Sequence, residues 1–63
     1  MLTRTELTTA RLFLQQAHAS VLWVATLFLA DGNAGAAARL NDIAARLNDQ
    51  MQDIDTLLKS AKP

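Results

Sequence analysis

The chain is interrupted only once. Asp31-Gly32-Asn33-Ala34-Gly35 holds both glycines of the sequence, and the single proline is the terminal Pro63. Glycine and proline are the strongest local breakers of regular structure. Each flanking run, about 25 residues or seven helical turns long, therefore reads as one uninterrupted element. Strand-type alternation is absent from both runs, and Ala and Leu are abundant. The expectation is one domain over 1–63: a helix over about 4–30, a loop over about 31–35 and a second helix over about 36–60. A loop this short permits only an antiparallel return. The expected fold class is all-α, a two-helix antiparallel hairpin.

The first run carries its own start signal. Thr3-Arg4-Thr5-Glu6 has the form of a capping box, in which Thr3 accepts from the Glu6 backbone N–H and Glu6 reaches back. Leu7, Ala10, Leu14, Ala17, Val21, Val24 and Phe28 then follow in alternating steps of 3 and 4. That spacing keeps one stripe facing a partner helix. Gly32 suits the left-handed position that ends a helix, and either Asp31 or Asn33 can cap the next one.

The second run contains a near-copy of itself. Ala37-Ala38-Arg39-Leu40-Asn41-Asp42 returns seven residues later as Ala44-Ala45-Arg46-Leu47-Asn48-Asp49, the period of a heptad seam. The expected inward stripe is Ala36, Leu40, Ile43, Leu47, Gln50, Ile54, Leu57 and Ala61. Leu14, Val21, Leu40, Leu47 and Ile54 are expected among the most buried residues. Gln50 interrupts an otherwise apolar row, as residues that fix register or oligomeric state do. Asp42–Arg46 and Asp55–Lys59 have the acid-first i,i+4 spacing of helical ion pairs.

The first run has more apolar surface than one neighbour can cover. From Leu12 to Ala30 no residue carries a formal charge. Leu12 and Trp23 share a face pointing away from the Leu7–Phe28 stripe, and Phe13, Leu22, Leu27 and Leu29 widen it. A helix that is apolar all round is normally surrounded. Pairing two hairpins into a four-helix bundle would supply the missing cover. This layout resembles that of the ROP-type plasmid RNA-binding proteins in length, hairpin form and heptad seams. The resemblance spans the whole chain as architecture, without a diagnostic motif, and it implies a homodimer of hairpins.

Lipid is the competing cover. The uncharged run would span about 28 Å as a helix, close to a bilayer core. Arg4 and Arg11 precede it and Asp31 follows, which suits a cytoplasmic N-terminus. Against a span stand Gln15, Gln16, His18, Ser20 and Thr26, which leave Val21 to Ala30 as the strongly apolar part. Ala34-Gly35-Ala36 also has the small-x-small form of a signal-peptidase site, although the expectation is a chain retained from Met1 to Pro63.

Little in the sequence points to chemistry. There is no cysteine, hence no thiolate ligand or nucleophile. His18 has no His, Asp or Glu one helical turn away, so no helical metal pair forms. Ser20 lacks a base within reach. The two glycines precede no Lys-Ser or Lys-Thr phosphate loop, and Asp49, Asp53 and Asp55 lack the spacing of a calcium loop. No catalytic, metal or cofactor residue is expected, and no cofactor. Six basic and six acidic residues give zero net charge, hence no general pull toward nucleic acid. The one basic stripe is Arg4, Arg11 and His18, a possible backbone contact if a dimer doubles it.

The expected function is therefore that of a small, non-enzymatic protein–protein interaction module. It would be a cytoplasmic regulator or adaptor of bacterial or phage type that works as a hairpin homodimer. Leu12, Phe13, Trp23 and Leu27 are the candidate partner or dimer interface, with Trp23 suited equally to an anchor and to a dimer core. The alternatives are a ROP-like nucleic-acid-binding bundle and a small membrane-associated protein with the first helix in the bilayer.

Overall fold

A computed structural model describes residues 1–60. Two helices, α1 (Arg4–Ala30) and α2 (Ala34–Ser60), fold back on each other as a hairpin with Cα extents of 49 × 14 × 14 Å. Ala61, the last position of the expected α2 stripe, lies outside the described residues.

The α1 start follows the capping box. The Glu6 N–H donates to Thr3 Oγ1 at 3.1 Å, and the Thr3 N–H donates to Glu6 Oε1 at 2.9 Å. These reciprocal bonds satisfy two of the donors that a helix start leaves orphaned. Leu2, just before the cap, and Leu7, four positions after it, occupy the positions of a hydrophobic staple. Both line one shallow groove with Met1, Leu57 and Ser60.

The turn is shorter than expected, because α2 begins at Ala34. The Asn33 N–H donates to the Phe28 carbonyl at 2.8 Å and the Gly32 N–H to the Leu29 carbonyl at 3.1 Å. This is the Schellman arrangement, and Gly32 takes the left-handed conformation it requires, at φ +83°. The same Asn33 caps α2: its Oδ1 accepts from the Ala36 N–H at 3.1 Å, and its carbonyl accepts from the Ala37 N–H at 3.1 Å.

Three of the five residues buried in the helix interface, among those described, are alanines. The buried residues are Leu7 and Ala25 on α1 and Ala37, Ala44 and Met51 on α2. On α2 the inward rows are thus Ala37, Ala44, Met51 beside Leu40, Leu47, Ile54, with Leu58 half-buried. This corrects the expected stripe. Its Leu40, Leu47 and Ile54 row faces α1, but Ile43 and Leu57 are 45% and 54% exposed and Gln50 is also exposed. Leu14, Val21, Leu40, Leu47 and Ile54 are half-buried rather than most buried, and Phe28 is exposed. The physical reason is close approach. Alanines let the two backbones come together and cover Ala37 and Ala44. Larger side chains splay to the edges, where a two-helix unit has no further layer to cover them.

On α1 the inward face also includes the row Arg4, Arg11, His18, Ala25. Ala25 is buried, and Arg11 and His18 are half-buried. Arg11 Nε donates to Asp55 Oδ1 at 2.6 Å across the hairpin. Asp55 thus turns to Arg11 rather than to Lys59, and Asp42 and Arg46 do not close to ion-pair distance. An exposed i,i+4 pair gains only a few tenths of a kcal/mol and loses side-chain freedom.

Candidate interaction surface

The Arg11–Asp55 contact fixes how the two helices present their flanks. Arg11 stands on one edge of the inward face of α1, and Asp55 on one edge of that of α2. These edges therefore form one long side of the hairpin. With heptad spacing, the first side carries Arg4, Arg11 and His18 from α1 and Asn41, Asn48 and Asp55 from α2. Leu22, Ala25, Leu29, Ala37 and Asn41 line a shallow groove there, near the turn. The first side is largely polar.

The opposite side is apolar. From α1 it takes Ala10, Ala17 and Val24, then the row Phe13, Ser20, Leu27. From α2 it takes Ala36, Ile43, Gln50 and Leu57. Phe13 is 64% exposed and Leu27 49%. Near the turn, Val24, Leu27, Phe28 and Asp31 form a shallow groove. At the other end, Leu57 meets Leu7 and the N-terminal Met1 and Leu2.

The four apolar candidates thus divide. Phe13 and Leu27 belong to this broad side, together with Ile43 and Leu57, which were expected to face inward. Leu12 and Trp23, 51% and 65% exposed, stand on the back of α1, away from α2. The signal that reveals Ile43 and Leu57 is a count of rows: α2 carries three apolar rows, and one neighbouring helix covers two.

Two of the three basic candidates, Arg4 and Arg11, are bonded within their own chain. Arg4 Nη1 donates to the Leu58 carbonyl at 3.1 Å, near the C-terminal end of α2, where cations are favoured. Arg11 holds Asp55 and also donates from Nη1 to Gln15 Oε1 at 3.2 Å. The bond and charge of Asp55 raise the Arg11 pKa above its ordinary value. Glu6 is lowered from the usual carboxylate value, first by the Thr3 backbone N–H and then by the Thr3 side chain. No group of three His, Asp or Glu side chains among the described residues is placed to hold a metal ion. No known protein family, curated protein or solved structure matches the chain.

Proposed function

We propose that this chain is a non-enzymatic interaction module, a small cytoplasmic regulator or adaptor that pairs as a homodimeric four-helix bundle and acts by binding another protein. The observation carrying this reading is the imbalance of the hairpin. Among the described residues, five hydrophobic residues are buried, while eleven large hydrophobic side chains are exposed. Apolar surface of that extent on a small soluble protein marks an association site. Apart from Leu22 and Leu29 on the first side, this surface lies on two faces that suit two tasks: the broad side for a second hairpin, and the back of α1, with Leu12 and Trp23, for a different protein. Trp is among the residues enriched as anchors at such surfaces. With Arg4 and Arg11 bonded within the chain, a protein partner is favoured over nucleic acid.

Light scattering at micromolar concentration should give a mass near twice 6.9 kDa. Affinity capture should return a protein that is lost with Trp23→Ala or Leu12→Ala while the dimer mass persists. A folded monomer would overturn the reading.

A second reading, a membrane-associated protein with α1 in the bilayer, draws on one observation. An 18-residue stretch of α1 has a mean hydropathy of 1.4 and is only 6% buried. Insertion would carry Gln15, Gln16, His18 and Ser20 into lipid and would break or drag along the Arg11–Asp55 link. Such burial of polar groups is costly in hydrocarbon. Flotation with phosphatidylcholine vesicles separates the two: co-flotation supports lipid, and a protein left at the bottom of the gradient supports the interaction module.

A further inference from the structure

We infer that a second copy of this chain seats on the Ile43–Gln50–Leu57 edge of α2, with the two α2 helices antiparallel and the twofold axis passing at Gln50. This deepens the homodimer reading and rests on it. The inference comes from the self-complementarity of that edge.

An isologous contact demands that each residue meet the counterpart its symmetry assigns. About an axis at Gln50, residues whose numbers sum to about 100 face each other. Ile43 then meets Leu57 of the second copy, and Leu57 meets its Ile43, so apolar lies on apolar at both ends. Gln50 meets Gln50, and two carboxamides can exchange hydrogen bonds reciprocally, each offering a donor and an acceptor. A polar pair at the centre of an apolar row fixes register.

Charge tests the same register independently. The row just outside Ile43, Gln50 and Leu57 is Arg39, Arg46, Asp53 and Ser60. Arg46 and Asp53 are exposed, form no ion pair among the described residues and lie seven positions apart on one helix face, too far to reach each other. With the axis at Gln50, Arg46 lies level with Asp53 of the second copy, and Asp53 with its Arg46, giving two ion pairs. The parallel-axis alternative, which sets α1 of the second copy over α2, brings Arg46 level with the uncharged Ser20 region.

Placing α2 on α2 also sets α1 on α1. Phe13 then falls beside the small Ala17 of the second copy. Leu27 and Phe28, near the turn, fall beside the N-terminal end of the other hairpin, where Met1 and Leu2 are exposed. Leu12 and Trp23 remain outside the dimer.

The chain's lack of cysteine makes the test clean. Gln50→Cys should cross-link to a covalent dimer under mild oxidation, while Asp42→Cys and Leu12→Cys should not. Arg46→Asp and Asp53→Arg should each weaken self-association about tenfold, since each turns two attractions into repulsions. Mixing the two variants should restore association as a heterodimer, because positions 46 and 53 are both acidic in one and both basic in the other and then face each other. All are exposed positions, and circular dichroism checks that the helices persist. A wild-type dimer that cross-links through Leu12→Cys but not Gln50→Cys, with the charge variants unaffected, would overturn this face and register while leaving the homodimer intact. A wild-type monomer would overturn both.

Discussion

Gly32 offers the most direct test of the turn. It sits at φ +83°, and a methyl group added to it would have open space within 4 Å. Any cost of Gly32→Ala is therefore a backbone cost, with no clash contributing. Holding an L-residue in the left-handed region costs roughly 1–2 kcal/mol. Restricting the unfolded chain returns about 0.4–1 kcal/mol. The expected net loss is about 1 kcal/mol, or roughly 4–8 °C in Tm for a chain this small. Asn tolerates the region better, so Gly32→Asn should lose less. A D-alanine at the same place, accessible by chemical synthesis, keeps the unfolded-state gain without the strain and should stabilise by about 0.4–1 kcal/mol. Gly35 is the internal control. It lies in the first turn of α2, its added Cβ would stand 3.7 Å from Arg39 Nη1, an ordinary contact, and Gly35→Ala should stabilise by up to about 1 kcal/mol. Thermal melts followed by circular dichroism, all at one protein concentration because self-association moves Tm, give the ordering. If L- and D-alanine at position 32 gave the same Tm, the left-handed cap would not exist in solution.

Four further outcomes are expected. Ala44→Phe should unseat α2 from α1 and lower the urea midpoint steeply, since overpacking a close helix contact costs about 1–3 kcal/mol. Ala45→Phe, one residue on and exposed, should be tolerated. Met51→Ala should cost about 2–5 kcal/mol as a buried large-to-small change, against about 0.5 kcal/mol or less for Asp42→Ala. Because the folded-state pKa of Glu6 is depressed, the stability it contributes is present above its unfolded value and is lost as pH falls through the folded one. Glu6→Gln should therefore flatten the acid limb of a stability-against-pH curve by lowering stability slightly at neutral pH, where the carboxylate contributes, and leaving it nearly unchanged at low pH. Arg11→Ala should cost no more than about 1 kcal/mol, because the side chains of the Arg11–Asp55 pair are 37% and 41% exposed. The loss should shrink in high salt.

The start and stop of α1 were legible because each is written in local chemistry: Thr3 and Glu6 announce the start and Gly32 the stop, with no knowledge of what packs where. The start of α2 was legible only in part, since Asp31 and Asn33 are both capping residues; Asn33 takes the role and α2 begins at Ala34, about two residues earlier than expected. The helix-facing rows were legible only in part. Leu40, Leu47 and Ile54 face α1 as their spacing requires. The choice between the row containing Ile43 and the row containing Ala44 depends on how closely the backbones approach, and spacing is silent on that. Hydrophobicity favours Ile over Ala, whereas close packing rewards Ala over Ile. The same conflict hid the role of Arg4, Arg11 and His18. They share a row with the buried Ala25, and a long cationic side chain can lie along a helix contact with its head at the rim. The exposed candidates Leu12, Phe13, Trp23 and Leu27 were found as a group. Their separation into two faces needed the Arg11–Asp55 contact.

Asn33 ends one helix and begins the next, and this has a geometric consequence. With no spare residue in the turn, the rotational phase of α2 about its own axis is locked to that of α1. One residue inserted after Gly32 would turn every row of α2 by about 100°. A different row would then face α1, and the charged back of α2 would move toward the edge that now carries Ile43 and Leu57. The length of the turn thus decides which surface of the second helix is adhesive, without any change to that helix's own sequence.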